Sequence, residues 1–583
     1  MGRPLKTPNA CWSCRLRRKK CDEKQPVCDT CATLYITCYH DVKKPEWMDG
    51  AKRQEEMMER LKREVKENAY LRRGQRAVRT TASTTPGSEP EVMFPQQALP
   101  TTNPILQVAQ VASSRCSLIP PPQFQRGTDC TRITKDARNI DFGRSDTILF
   151  MFYLEDVFPF LFPFYRPSLL EGGRAWILEM MISSPVVRQA ILCQSSYFFS
   201  LARGTETSDV VWETVLTQTR DTLGMLRQSL QVIESSEITE HLHGAVRIMA
   251  SIMQVQRFDI AVLSFENCQT HLNAALALFK RLFEGFDPAV EPSRSDSTFY
   301  TVMSRLGPPS EIQCVQIPSA EQAAFSFSSA LLILDDIMAS TVLQEQPRLY
   351  EYHGSLLNSI DGAEPPINLE HVIGCQNWVL LQIGETAVLD AWKQQCKRAG
   401  NLDVMQLVHR ATIIKDTLEA NLSRLESDLA APPRYGGSLF DLFKAEYCLP
   451  TANQSSLVTR VWAHAALIYL FVVVSGWQPS SVDIRYHVGQ IIELLSSQTS
   501  SPGLLRTMAW PFCVAGCLAE SAQEDHLRVM VQALHPPSIF GTVRKALEIM
   551  ENVWRNRNSG DIASRDLALC FQNQGRTDLV LLV

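Results

Sequence analysis

The sequence predicts a mainly α chain, with a large all-α C-terminal domain behind a small cysteine-rich head, a short helix or coiled-coil segment and a disordered linker. Three observations carry that reading. Apolar residues recur at helical spacing in long segments between about 140 and 583, where alternating strand patterns are scarce. Six of the 17 cysteines crowd into residues 11–38. Eight prolines fall between Thr80 and Phe124 among Ser, Thr and Gln, with no apolar period to organise them.

At 583 residues and 45% hydrophobic content the chain can bury a sizeable core, which excludes wholesale disorder and a collagen-like fibre. Its net charge of -5 averages two unlike parts. Residues 1–80 hold 20 Lys+Arg against 11 Asp+Glu, a net of +9, and the remainder holds 37 against 51, a net of -14. Only the basic head is suited to a polyanion. The odd cysteine total, and the lack of a signal-like apolar stretch in MGRPLKTPNACWSC, point to a reducing compartment inside the cell. The longest apolar run, Ala465 to Val474, falls short of the roughly 20 residues that span a bilayer, so no membrane partner is expected.

The head, residues 1–44, reads Cys11-x2-Cys14-x6-Cys21-x6-Cys28-x2-Cys31-x6-Cys38, the same C-x2-C-x6-C unit twice with an offset of 17. Two similar half-sites imply a pseudo-symmetric metal cage. Thiolate sulfur is the preferred donor for zinc, which favours four tetrahedral ligands. One tetrahedral site would leave two cysteines over. Two zinc ions need eight ligand places, and six thiolates fill them if two of the six bridge. A binuclear cluster therefore uses every ligand. Two divalent ions and six thiolates sum to −2, and residues 1–44 hold ten basic and four acidic side chains, so the loaded head keeps about +4 toward a phosphate backbone. With so few apolar residues, the metal must supply most of the folding free energy, on the order of 10 kcal/mol or more.

Between Cys14 and Cys21 runs Arg15-Leu16-Arg17-Arg18-Lys19-Lys20. A short helix can present both cysteines, a heptad apart, while other side chains project outward. Its wheel places Arg15, Lys19 and Lys20 farthest from the ligand face, which suits phosphate contacts. A solvated basic face or a nuclear-import signal are further uses of the same run.

The stretch from Ala10-Cys11-Trp12-Ser13-Cys14 through the basic run to Asp29-Thr30-Cys31 resembles the fungal Zn2Cys6 (binuclear zinc cluster) transcription factors. The resemblance implies a sequence-specific regulator of RNA polymerase II transcription, nuclear, with two zinc ions as cofactor and double-stranded DNA as partner. It implies that Cys11 and Cys28 bridge the metals, that Cys14 and Cys21 complete one site, and that Cys31 and Cys38 complete the other. It also implies base contacts from Arg17 and Arg18 to a CGG-type triplet, since Arg reads guanine O6 and N7 as a bidentate pair. Pro26 matches the loop proline between the halves. His40 lies close to the cluster, where six thiolates leave it a bystander. Such regulators often accompany biosynthetic or catabolic gene sets.

Residues 47–78 contain no proline and are dense in Glu, Lys, Arg, Leu and Met, so a helix is expected. A heptad places Ala51, Met58 and Val65 at a, with Gln54, Leu61 and Asn68 at d. The apolar seam covers about two heptads. A connecting helix and a homodimer seam both fit it, and monomeric DNA binding stays open. Residues 79–135 form the flexible Pro/Ser/Thr linker.

Residues 140–583 should pack roughly a dozen helices into an irregular all-α bundle. The apolar segments are 174–203, 209–233, 258–286, 320–346, 376–395, 403–428, 455–476, 483–497, 504–522 and 538–555. This region resembles the type 2 fungal-specific transcription factor domain, a regulatory domain, through Gly173-Arg174-Ala175-Trp176, Ser184-Pro185-Val186-Val187-Arg188, Asp335-Asp336-Ile337, Gly374-Cys375-Gln376-Asn377-Trp378 and Trp510-Pro511-Phe512-Cys513. Coactivators or the transcription machinery are its expected partners, and a small-molecule effector between the helices stays open. No Walker phosphate loop, G-x-G-x-x-G, H-E-x-x-H or G-x-S-x-G occurs, so no enzyme is expected and no catalytic residue is assigned. Cys513 and Cys517, one turn apart in an apolar segment, read as core, as do Trp378, Trp392, Trp477 and Trp510. The alternative is a zinc-dependent scaffold or ubiquitin-ligase-like interaction protein. It is disfavoured because RING and LIM cages mix in histidine and set no basic run between their ligands.

Overall fold

In a computed structural model the chain divides into two compact units, Met1–Pro100 and Thr101–Val583. The structure describes residues 10–17, 19–24, 28–32, 38–39 and short stretches up to 62. It then describes 143–583 apart from 169–171, 205–221, 223, 227–241, 262–264, 285–297, 313–314, 360–361, 363, 430–451, 498–501, 536, 558–564 and 573–578. The linker expected at 79–135 lies outside the described residues, as do Arg18, Pro26 and His40.

The described residues of the first unit include two short helices, α1 (Trp12–Leu16) and α2 (Asp29–Ala32). Within 47–78 the described residues 53–54, 57–59 and 61–62 are helical. Leu61, at a d position, is buried within the single chain, while Gln54 and Met58 are half-buried. The remaining seam positions Ala51, Val65 and Asn68 lie outside the described residues.

The second unit is helical almost throughout its described residues. The single segment expected over 174–203 is two helices, α3 (Ala175–Ser183) and α4 (Pro185–Ala202), bent by 116°. Ser184 explains the break: its hydroxyl accepts the Val187 N–H at 3.4 Å as an N-cap, and Pro185 stands at the first helical position, where its missing N–H costs nothing. Of the segment 209–233 only residues 222 and 224–226 are described, as helix. The segment 258–286 divides between the end of α5 (Leu242–Ala261) and α6 (Cys268–Glu284). A short antiparallel hairpin, β1 (Ser310–Ile312) with β2 (Val315–Ile317), pairs Ser310 with Ile317.

The helix α7 (Ala320–Leu343) begins at a capping box, in which Ser319 and Gln322 each accept the other's backbone N–H. It packs against α3, α5, α6 and α8 (Asn377–Ala399), so it is buried on nearly every face. The helix α8 also meets α9 (Val404–Leu429) and α10 (Ala452–Ser475), and α10 meets α11 (Val482–Ser497) and α12 (Ala509–Cys517). Both α7 and α10 are long and apolar enough to cross a membrane, yet both are buried among other helices. Encirclement by helices accounts for their composition.

The expected segments 504–522 and 538–555 hold α12 and the last of these helices, and between them lies a helix that the sequence pattern did not place: α13 (Ser521–Gln532) precedes α14 (Gly541–Arg555). The helices α12 and α14 cross closely at Gly516, where a Cβ would stand 1.9 Å from the Met550 sulfur. Trp554 Nε1 reaches the Gly516 carbonyl at 2.8 Å across the same contact. Trp510 and Trp477 are buried, Trp378 and Trp392 pack half-buried against the core, and Cys513 and Cys517 are buried thiols.

Candidate metal centre and nucleic-acid interface

Cys11 opens the head as the N-cap of α1: its backbone is extended and its sulfur accepts the Cys14 N–H at 3.3 Å. The second half repeats this one offset later, with the Cys31 N–H on Cys28 Sγ at 3.4 Å. A further pair recurs in the same way, Cys11 N–H to Cys21 Sγ at 3.4 Å and Cys28 N–H to Cys38 Sγ at 3.5 Å. The internal sequence repeat is therefore a repeat of hydrogen bonds, each placing an amide dipole on a sulfur where negative charge will sit.

All six cysteines are free, and five are buried, with Cys38 half-buried. Their Sγ atoms form two groups of four, each within 4.8 Å: Cys11, Cys14, Cys21 and Cys28 in one, Cys11, Cys28, Cys31 and Cys38 in the other. Cys11 and Cys28 stand in both groups. Cys11 Sγ lies 3.7 Å from Cys28 Sγ and 3.8 Å from Cys31 Sγ, and Cys14 Sγ lies 3.7 Å from Cys28 Sγ. A disulfide needs about 2.05 Å between sulfurs. A tetrahedron of thiolates about 2.3 Å from a central zinc has edges of about 3.8 Å. The spacing fits the second chemistry and excludes the first.

Without a cation this crowding is unfavourable to thiolates. Burial, reinforced by neighbouring sulfurs, pushes the Cys11 and Cys31 thiols far up, and burial pushes Cys14 up to about 11. Cys28 is the exception. Burial raises it too, but the Cys31 N–H and the thiols of Cys31, Cys14 and Cys11 outweigh that and bring it down to about 7. A site of buried thiols with one already inclined to ionise suits a divalent soft-metal ion.

The basic run departs from its expected shape. The helix α1 stops at Leu16 with Arg17 as its C-cap, short of Cys21, so no single helix presents both cysteines. Residues 19–24 run without helix and bring Cys21 back to the cluster, with the Lys19 N–H on the Cys14 carbonyl at 3.0 Å. The metal cage sets this path in place of helical periodicity. Arg15 is exposed, donates to the Ala10 carbonyl at 2.9 Å and lies over the Trp12 ring at 4.8 Å. Lys19 and Lys20 are exposed, and Arg17 is half-buried with one terminal guanidinium nitrogen occluded and unpaired. Arg18 lies outside the described residues.

Sequence reasoning missed how the ends of the head are tied. The Trp12 N–H donates to the Tyr39 carbonyl at 2.7 Å, and Ser13 Oγ accepts the Tyr39 N–H at 3.1 Å. These bonds close the chain just after Cys38. No spacing rule marks Ser13 or Tyr39. The signal would have been a buried hydroxyl between two ligand cysteines, since Ser13 is fully buried.

Residues 9–46 match the fungal Zn(2)-Cys(6) binuclear cluster domain, and residues 148–575 match the fungal specific transcription factor domain. Transcription factor dibT of Pestalotiopsis microspora is 35% identical over 98% of this chain and 98% of its own length. Pestheic acid cluster transcriptional regulator 3 of Pestalotiopsis fici is 26% identical over 96% of each chain. The ustiloxin B cluster transcription factor ustR of Aspergillus flavus is 25% identical over 94% of this chain and 93% of its own. No solved structure matches the chain.

Proposed function

The chain belongs to the fungal transcription factors that join a Zn(2)-Cys(6) binuclear cluster to a fungal specific transcription factor domain, and from that premise we propose that it is a nuclear, sequence-specific regulator of RNA polymerase II transcription that reads CGG-type triplets near a biosynthetic gene set. The observation that carries the proposal is the pair of sulfur tetrads sharing Cys11 and Cys28, with a basic run between two of the ligands. The names of two relatives, each tied to a metabolite cluster, support the gene-set reading.

In this reading Cys11 and Cys28 bridge, Cys14 and Cys21 complete one site, and Cys31 and Cys38 complete the other. Two zinc ions supply, when bound, the positive charge that holds six thiolates together. The chain's own part is to aim amides at those sulfurs and to fix the direction of the basic run. Lys19 and Lys20, exposed on a path without helix, suit phosphates, as does Arg15, already ordered across Trp12. Arg17 and Arg18 are assigned to bases, and the unpaired Arg17 nitrogen is a donor in need of an acceptor.

Binding of the zinc-loaded full chain to CGG-containing and scrambled duplexes tests the assignment. A preference of about tenfold or more is expected from one good bidentate contact. Equal binding would sink the CGG reading. Footprinting on the same duplex separates the two stoichiometries: a homodimer through 47–78 protects two half-sites, a monomer one.

A further inference from the structure

We propose that the helical body holds a ligand site of its own, a cleft for a small organic monoanion with an apolar body, in which Arg506 and Arg257 hold the anionic group. The inference is independent of how the head reads DNA. A cavity of about 60 Å³ opens among Phe160, Leu331, Trp462, Arg257, Arg506 and Thr542, which come from opposite ends of the second unit's sequence. By the measure in which one water needs roughly 10–15 Å³, that is room for several water-sized groups.

The walls are hydrocarbon and aromatic, but the polar groups among them are left incomplete. Arg257 is buried and pairs with Asp335 Oδ1 at 2.6 Å, while its Nε has no partner. Thr542 is buried and its hydroxyl has no partner. Arg506 is half-buried. It donates to the carbonyls of Phe160, at 2.6 Å, and Leu161, lies over the Phe160 ring at 4.9 Å, and has an occluded Nε without a partner. Among the described residues no carboxylate forms an ion pair with Arg506. Two guanidiniums thus line the cavity, and Asp335 pairs with one of them.

Burial and the neighbouring Arg257 charge bring Arg506 down to about 10, still charged at neutral pH. A buried cation without a counter-charge is costly, and so is a buried hydroxyl without a hydrogen bond. A ligand carrying one negative charge pairs with the guanidinium that Asp335 does not reach, its oxygens satisfy the orphaned donors, and its apolar remainder meets Leu331 and Trp462. A dication is repelled by both guanidiniums, and a multiply charged phosphate is unsuited to the apolar walls.

The test follows the thermal unfolding and tryptophan fluorescence of the zinc-loaded full chain with phenylacetate, hexanoate, phenylacetamide, chloride and inorganic phosphate at matched ionic strength. At least one of the two carboxylates is expected to raise the body's unfolding temperature saturably by about 1–3 °C. The amide, chloride and phosphate should not. Arg506→Gln should lose the shift. Because that change also removes bonds to Phe160 and Leu161, Ala261→Phe gives a second arm, filling the cavity from the end of α5 and leaving both guanidiniums in place. It should abolish the shift in a protein that still unfolds cooperatively. An equal shift with phenylacetamide, no shift with either carboxylate, or a shift that survives Ala261→Phe would each overturn the proposal.

Discussion

Among the described residues around Cys11 and Cys28, most of the buried side chains end in sulfur. Cys11, Cys14, Cys21, Cys28 and Cys31 form one cluster, and among the described residues Ala10 and Cys38 pack against it. The body's cluster runs instead through Tyr153, Phe158, Phe279, Phe325, Trp462 and Trp510, with α7 and α10 enclosed by other helices. A few buried thiols remove little apolar surface from water, at roughly 25 cal/mol per Å², whereas large aromatic and aliphatic side chains each contribute about 1.5–3 kcal/mol. The head must therefore be ordered by bonds to a metal, and the body orders itself. One part answers to chelation and salt, the other to packing and pH.

Chelation should produce the largest effect and divides the two regions most sharply. Removing zinc withdraws on the order of 10 kcal/mol from the head. DNA binding should vanish, while the body's unfolding temperature stays where it was. Cys14→Ala should reproduce the loss and Cys193→Ala, a buried body thiol beside Phe258, should not. Calorimetry with a parallel binding assay reads both. A body that melted on chelation would break the comparison.

The converse comes next. Trp462 stacks on Trp510 with ring centroids 5.5 Å apart and planes at 14°, and both are fully buried. Trp462→Ala should cost about 3–5 kcal/mol of body stability. Zinc content, measured by spectroscopic titration of the six thiolates, should not change.

The head's chemistry was legible because a metal cage writes itself as spacing. The helix within it was not, since α1 ends where the cage turns the chain and not where helical periodicity fades. In the body, length and period placed most long helices but missed α13 and all but the end of α5. That helix buries Gln254, Gln256, Arg257 and Asp259 among its apolar residues, so no polar face marks its register. The break at Ser184 was readable from Ser-Pro, an N-cap followed by proline. The pairing of Arg257 with Asp335 and the approach of Arg506 to Phe160 are products of tertiary packing alone, and nothing local in the sequence signals them.

Acid sharpens the contrast further. Burial lowers His353 to about 4, and His464 to about 3, helped by the charges of His487 and Arg460; burial also lowers His487 to about 4. The Nδ1 atoms of His464 and His487 are 2.9 Å apart, so the two rings cannot both be protonated cheaply. The unfolded chain, near 6.5, binds these protons more tightly. The stability they contribute is complete above about 6.5 and lost as pH falls through about 4. Asp335 and Asp336, raised by burial to about 6, act in the opposite sense: their contribution is complete below about 3.8 and lost as pH rises through about 6. Each unit of displacement is about 1.4 kcal/mol, and the two sets partly cancel. His464→Gln should therefore flatten the fall of the body's unfolding temperature between pH 6.5 and 4, and an unchanged slope would assign the pair no part in it.

Within the head, Arg17 and the two lysines should separate by kind. Arg17→Ala should cost about 1–3 kcal/mol on a CGG duplex and relax the preference over scrambled sequence.

Lys19→Ala or Lys20→Ala should do less. Each exposed ammonium that neutralises one phosphate releases about 0.9 of a counterion, so the slope of log K against log salt should fall by about 1 per lysine, equally on CGG and scrambled duplexes. Loss of affinity without loss of selectivity identifies a contact to the backbone. Loss of selectivity at either lysine would move base reading down the chain from Arg17, onto the non-helical stretch that leads to Cys21. The five-residue helix makes this a real alternative, because the groove-facing residues are then chosen by the turn after Leu16 and not by a helical wheel.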